Sequence, residues 1–264
     1  MPEKKVHFFI TNDDGYDAKG LKELIEVARE LGKVTAIAPA EGHSGMSHAI
    51  TVKHPLRIEL LEREEDFELY KCWGTPVDCV KLAFNRFLPE KPDMVLSGVN
   101  HGSNSSTSIM YSGTMAAAME GALYEIPSIG FSLLDWRTDA DFSISKPYIQ
   151  QLILKIIKHK YLDGICLNVN IPAVTKDEIQ GIKICRQTKG HWIEEFEQRT
   201  DPHGREYYWL TGEFHNREPE AEDTDEWALI NNYISVVPVH VDMTAYRVKE
   251  ELDKIDFNAD ITQD

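Results

Sequence analysis

Val6 to Ala38 reads VHFFITNDDGYDAKGLKELIEVARELGKVTAIA, and the architecture of the chain follows from this stretch. Residues 6–10, centred on Phe8, Phe9 and Ile10, form a short apolar run of the length of a buried strand. Leu21, Leu24, Ile25, Ala28 and Leu31 recur at helical spacing, so residues 19–31 form an amphipathic helix stopped by Gly32. Val34 to Ala38 is a second strand, ended by Pro39. Strand, helix and strand within so short a segment make a right-handed parallel unit. The first strand runs into Asp13 and Asp14, followed at once by Gly15. Carboxylates packed that closely repel, so one of them takes up a proton or a cation binds between them. At neutral pH a divalent metal is the more productive answer. The pair therefore points to a metal-dependent active site at the carboxyl end of the first strand.

The alternation continues down the chain. Residues 51–72 hold β-rich stretches broken by the charged run Glu62 to Asp66. Pro76 starts a helix that ends near Phe87, Asp93 to Ser97 is a strand, Ser112 to Tyr124 a helix rich in small residues, and Pro127 to Leu134 another strand. Residues 147–158 are helical and Ile165 to Ile171 is a strand closed by Pro172. This is the pattern of an α/β fold with a doubly wound sheet covered by helices. From residue 182 the character changes. Residues 182–213 mix aromatics, charges and the turn signal Asp201-Pro202-His203-Gly204, and read as a long hairpin or arm. A short helix over 227–232, a last strand over 234–239 and a final helix over 245–254 capped by Thr244 complete the chain, with a frayed tail after Ile255. The whole, 1–264, reads as one domain, of which 182–213 is the arm and 240–264 the C-terminal helix and tail.

Composition narrows the function. With 264 residues, 42% hydrophobic and 27% charged, the chain can build a full core. Its net charge of −16 makes it a poor ligand for the phosphate backbone of a nucleic-acid polymer, although a small phosphate ester remains compatible if a metal supplies local positive charge. No apolar run approaches the ~18–20 residues that span a bilayer, and the N-terminus lacks a signal-peptide core, so the expected location is the cytoplasm, away from any membrane. Cys72, Cys79, Cys166 and Cys185 have no zinc-ligand spacing and read as reduced, buried thiols.

Ligands of an open α/β sheet bind outside the carboxyl ends of its strands. Three polar loops follow strands here: Thr11 to Asp17, Glu41 to His48, and Gly98 to Tyr111. The first offers the two aspartates. The second offers Ser44, Ser47, His43 and His48. The third, with Ser97 before it, offers Asn100, His101, Ser103 and Asn104. Carboxylates, hydroxyls and amides together suit a hard cation such as Mg²⁺, Mn²⁺ or Ca²⁺. Ser112-Gly113-Thr114 opens a helix, where free N–H groups and two hydroxyls make an anion site. His43, His48 and His101 are each candidates to protonate a leaving alkoxide or bind phosphate, and each is equally readable as an ordinary hydrogen-bonded histidine. The chain has no P-loop, no G-x-G-x-x-G and no G-x-S-x-G elbow.

These motifs together resemble the SurE family of survival proteins, which are 5'-nucleotidases. The matching segments are Ile10-Thr-Asn-Asp-Asp-Gly15, Ala38-Pro-Ala-Glu-Gly-His-Ser-Gly45, Gly74-Thr-Pro-Val-Asp-Cys79, Ser97-Gly-Val-Asn-His-Gly102, Tyr111-Ser-Gly-Thr114 with Glu120-Gly121, and Leu167-Asn-Val-Asn-Ile-Pro172, with a weaker match from Thr224-Asp225 through Ser235-Val-Val-Pro238. The resemblance implies a Rossmann-like α/β/α core, an arm exchanged between subunits, and a homodimer or homotetramer. It implies one divalent metal per subunit, Mg²⁺ or Mn²⁺, on Asp13, Asp14, Ser44 and Asn100. It puts Asn104, Ser112 and Thr114 near the phosphate, with Asp13, Asp14 and Asn104 as the catalytic residues. The implied reaction is hydrolysis of nucleoside 5'- and 3'-monophosphates, with short polyphosphate as a further substrate in some members. A metal-activated water attacking in line, its proton passing to Asp13, and an aspartyl-phosphate route both fit the residues. So do a nucleotide- or metal-binding sensor without turnover and an exopolyphosphatase with polyphosphate as its main substrate. Where the family often has a glycine and then an aspartate, this chain has Ser106 and Ser108.

Overall fold

The computed structural model describes residues 5–137, 139–159 and 164–257. Its strands are β1 (His7–Thr11), β2 (Lys33–Pro39), β3 (Ile58–Glu64), β4 (Phe67–Cys72), β5 (Met94–His101), β6 (Ser128–Leu133), β7 (Cys166–Ile171), β8 (Gly181–Ile184), β9 (Gly190–Ile193), β10 (Phe196–Thr200), β11 (Glu206–Leu210), β12 (Glu213–Asn216) and β13 (Tyr233–Val239). The α-helices are α1 (Lys19–Leu31), α2 (Pro76–Leu82), α3 (Gly113–Leu123), α4 (Lys146–Lys158), α5 (Asp225–Ile230) and α6 (Tyr246–Leu252). Nine strands form one sheet in the order β3-β4-β2-β1-β5-β6-β7-β13-β8. The six from β4 to β7 are mutually parallel, whereas β3 and β13 run against their neighbours and β8 runs with β13. The carboxyl ends of β1, β2 and β5 therefore share one edge, and the three polar loops that follow them meet there.

Strand β1 shows why the sheet is covered on both sides. Its side chains alternate, so Phe8 and Ile10 pack with Leu21, Leu24 and Ala28 of α1 and Ile149 and Ile153 of α4. Phe9 points the other way, against Cys79, Val80 and Ala117 of α2 and α3. The result is the three-layer α/β/α arrangement that the periodicity of residues 6–38 announces. Helix α2 begins where Pro76 predicts it. Thr75 caps it, and Asp78 returns the bond in a capping box. A single wide turn over Ala83–Phe87 prolongs it to the expected end.

Several elements differ from their expected bounds. The charged run does not break the strand there: β3 carries Glu62, Arg63 and Glu64 as ladder residues opposite β4. It is an edge strand whose side chains are almost all exposed, so charge costs nothing there and discourages edge pairing. The arm is shorter and more elaborate than 182–213. Its first three residues belong to β8 in the main sheet. The arm proper is a ladder of β9 with β12, continued by a ladder of β10 with β11 around the turn at Asp201 to Gly204. Helix α5 starts two residues early because Thr224 caps it. Helix α6 is capped by Ala245 without a side-chain bond, not by Thr244, and none of its residues is buried. The tail beyond residue 257 lies outside the described residues. All four cysteines are buried and free. Among the described residues no helix is long and apolar enough to cross a membrane.

The layering predicts a sharp contrast in thermal denaturation. Leu24→Ala, at a fully buried position, should cost about 2–5 kcal/mol, whereas Leu61→Ala on the exposed edge strand should stay within about 0.5 kcal/mol. Equal losses would contradict the burial of α1 against the sheet.

Candidate active site

Asp13 lies beyond the end of β1 and is only 3% exposed. The Thr114 hydroxyl donates to its Oδ1, and the N–H groups of Thr114 and Gly113 at the start of α3 also point at the carboxylate. Burial raises its pKa, and these donors pull it only part of the way back. The approach demands a glycine at 113, because a Cβ there would fall 2.8 Å from the Asp13 Cβ. Asp14 is half-buried, and burial followed by the neighbouring Asp13 charge pushes it up to about 7. The His101 N–H donates to its Oδ2 at 3.3 Å.

Asn100 completes this edge from β5. Its Nδ2 donates to the carbonyls of His101 (3.1 Å) and Gly102 (2.8 Å), which fixes the amide and leaves Oδ1 as its uncommitted end. Next to Asp13 in the chain, Asn12 Oδ1 is buried without a hydrogen-bond partner. An orphaned oxygen beside two mutually repelling carboxylates fits a hard cation. No cluster of three His, Cys, Asp or Glu occurs among the described residues, so a cation here draws on amide and hydroxyl oxygens too.

The loop carrying Ser44 is tethered on either side of it. The His43 N–H donates to the Asp13 carbonyl at 2.7 Å, and Ser47 bonds the carbonyls of Tyr111 (3.0 Å) and Met110 (2.7 Å). Ser44 lies exposed between these anchors, one residue from the Asp13 contact. The His48 ring bonds Glu120 of α3 at 3.0 Å, and Lys81 of α2 bonds the other oxygen of Glu120 at 2.6 Å. Burial acts to raise the Glu120 pKa, but bonds from His48 and Lys81 and their charge outweigh it and hold it below the usual range. The three candidate histidines thus have structural partners: His43 and His101 act through their backbones, His48 as a strut, and the His101 ring packs edge-on to Phe142 at 4.7 Å.

The phosphate candidates Ser112, Thr114 and Asn104 are differently engaged. The Ser112 hydroxyl accepts from the Met115 N–H at 3.0 Å as the N-cap of α3, and keeps its own proton to donate. The Thr114 hydroxyl is committed to Asp13. Asn104 is buried, and its Nδ2 donates to Ser132 Oγ at 2.8 Å. An asparagine ladder from β7 holds its loop. The Asn104 N–H donates to Asn170 Oδ1 (2.8 Å), Asn170 Nδ2 to Asn168 Oδ1 (2.9 Å), and Asn168 Nδ2 to the Asn104 carbonyl (2.7 Å). Sequence reading quoted Asn168 and Asn170 as a motif without a role. Two asparagines at strand spacing, facing the same way in a buried strand, were the available signal. Ser106 sits at φ 50°, the conformation that explains a family glycine at this place. Its N–H donates to Asp225 Oδ2 (2.8 Å) and its hydroxyl to the Thr188 carbonyl (2.9 Å). Asp225, buried and also bonded to Thr188, belongs to the weaker matching segment that starts at Thr224, which carries no role in the sequence.

Replacing Asn170 by alanine leaves the Asn104 N–H and an Asn168 oxygen unpaired in the interior. We expect a loss of about 1–3 kcal/mol per unpaired group and faster amide exchange at Asn104, read by hydrogen exchange with mass spectrometry. Unchanged exchange there would refute the ladder as the loop's support.

The family model described as survival protein SurE matches residues 8–194. The 5'-nucleotidase SurE of Phocaeicola vulgatus is 49% identical over 252 residues, covering 96% of this chain and 97% of its own length. That of Flavobacterium psychrophilum is 51% identical over 250 residues, covering 94% and 97%. The crystal structure of the SurE protein from Aquifex aeolicus is 38% identical and superimposes with a TM-score of 0.80 over 94% of this chain and 98% of that one. With a family model spanning most of its length and relatives near half identity end to end, this chain belongs to the SurE family of survival proteins.

Proposed function

We propose that the chain is a 5'-nucleotidase, a metal-dependent phosphatase that hydrolyses nucleoside monophosphates to nucleoside and phosphate. The observation that carries this reading is the pair Asp13 and Asp14 just beyond β1, the first held by the start of α3 and the second by the amide of His101, the residue after Asn100. The relatives named 5'-nucleotidase SurE support the choice of substrate. Asp13, Asp14, Asn100 and Ser44 would hold one Mg²⁺ or Mn²⁺, consistent with an all-oxygen donor set. A cation there supplies positive charge against the phosphate oxygens and lowers the pKa of a coordinated water.

The chain's own groups account for the remainder. The N-terminal N–H groups of α3 and the Ser112 proton favour the phosphate dianion at that end of the helix. Thr114 and Gly113 orient Asp13. Asp14 is less buried than Asp13 and lacks a hydroxyl partner, so Asp14 rather than Asp13 accepts the attacking water's proton. Asn104, locked by Ser132 and the β7 asparagines, fixes the wall against which the phosphate turns. The arm exposes Phe196, Tyr208, Trp209 and Leu210, and a second copy of this chain is the natural cover for such a surface.

The test is phosphate release from a panel of nucleoside 5'- and 3'-monophosphates and short polyphosphate, with Mg²⁺, Mn²⁺ or a chelator. Asp13→Asn and Asp14→Asn should each lower turnover by about two orders of magnitude or more in a folded protein. Near-normal turnover in either variant would reject the assignment. No release from any metal-loaded sample would favour a nucleotide-binding role.

A second outcome follows from the raised pKa of Asp14. A carboxyl whose folded pKa exceeds its unfolded value of about 3.9 binds its proton more tightly when folded. Its contribution is full below about pH 4 and is lost as pH rises through the folded value, about 7. The metal-free protein should therefore lose Tm between about pH 5 and pH 8 more steeply than Asp14→Asn, and Mg²⁺ or Mn²⁺ should restore it at the upper end. Parallel Tm curves for the two proteins would contradict this.

A further inference from the structure

The residues described so far hold a phosphate and a cation but leave the rest of a nucleotide without a surface. Beside them stands Trp136, three residues beyond β6, with 75% of its surface open. Its indole lies directly over Gly102: a Cβ built on residue 102 would fall 2.3 Å from the ring. Gly102 also has a φ of 90°, so both its conformation and its bareness serve this contact. The Gly102 carbonyl is one of the two that fix the Asn100 amide. Asn100 and Gly102 are separated by at most about 7 Å of chain. A flat aromatic ring is thus bedded on the backbone of Gly102 on one side and open on the other, and Gly102 lies two residues along the chain from Asn100 and one from His101, whose N–H bonds Asp14. Asp135 and Arg137 flank it. Arg137 clamps Asp135 through bonds of 2.7 to 3.2 Å, which fixes the chain on both sides of the indole.

Resting on the phosphatase reading, we propose that Trp136 is the nucleobase platform of the site. The base stacks on the open face of the indole while the phosphate sits at Asp13 and Asp14. Stacking engages the π-face that every base has, so the platform accepts all nucleosides and favours purines through their larger rings. Trp136 binds and does not take part in the chemistry. Tyr111, 56% exposed and next to Ser112, is the competing aromatic.

The experiment compares kcat and KM of the full chain, loaded with Mg²⁺ or Mn²⁺, for adenosine monophosphate, cytidine monophosphate and ribose 5-phosphate, which has no base. The proteins are wild type, Trp136→Ala, Trp136→Phe and Tyr111→Ala. In Trp136→Ala the ratio of kcat/KM for adenosine monophosphate to that for ribose 5-phosphate should fall by about 5- to 100-fold, mostly through KM. The fall should be smaller for cytidine monophosphate, and Trp136→Phe should recover most of it. An unchanged ratio, or a base-dependent loss confined to Tyr111→Ala, overturns the platform and leaves the phosphatase reading intact. If the wild type hydrolyses none of the three, the phosphatase reading fails instead. Calorimetric binding of adenosine monophosphate and ribose 5-phosphate to wild type and Trp136→Ala then decides the platform alone, a base-dependent loss supporting it and equal affinities rejecting it.

Discussion

Holding one carboxylate out of water beside another is the constraint around which this sheet edge is built. Asp13 is buried, its charge is disfavoured by that burial, and Asp14 stands next to it in the chain. A group in that position is tolerated only if donors converge on it. The structure answers with Thr114, with the bare Gly113, with N–H groups at the head of α3, and with the His101 amide for Asp14. Each donor in turn fixes an element. Helix α3 must begin at the end of β1, the turn after β5 must pass beneath Asp14, and the loop after β2 must hand its His43 amide to the Asp13 carbonyl. Electrostatic repulsion in two side chains thus specifies where three loops go.

The fold was legible in the sequence wherever one residue's environment is set by its near neighbours. The helical spacing of Leu21, Leu24, Ile25 and Ala28 and the apolar run at Phe8 to Ile10 gave α1 and β1 with close bounds, and Pro76 marked the start of α2. The aspartates were legible because few reasons place two acids between a buried strand and a glycine. Their meeting with Asn100 was legible only through the rule that parallel strands share a ligand-binding edge. What stayed hidden was long-range. Nothing near residue 182 says that Gly181–Ile184 joins the main sheet, since its partner β13 lies about fifty positions later. Nothing near Asp225 says that it holds Ser106 and Thr188. Thr114 was readable as a phosphate contact, and only the fold shows that Asp13 claims its hydroxyl.

The loop from Ser103 to Ser106 shows how a departure from a family pattern is accommodated. Ser106 occupies a left-handed backbone conformation that suits glycine better. In compensation its N–H and hydroxyl both find partners, Asp225 and the Thr188 carbonyl. Next to it, Ser105 bonds Glu226, whose carboxyl burial holds above its usual range. The serines are therefore fastened to the segment that leads into α5, and the asparagines of β7 fasten Asn104 from beneath.

That fastening has a consequence for the birth of the molecule. Ser106 and its clasp at Asp225 are 119 positions apart. A chain leaving the ribosome amino end first makes β1, α1, β5 and both aspartates long before residue 225 is synthesised. Until it arrives, the wall beside Asn104 has no latch, so a half-made chain carries its acidic pair without a finished pocket around it. Completion of the loop at Ser106 is in this way timed by the carboxyl-terminal third of the polypeptide, well after the two acids and the asparagines of β7 have been made.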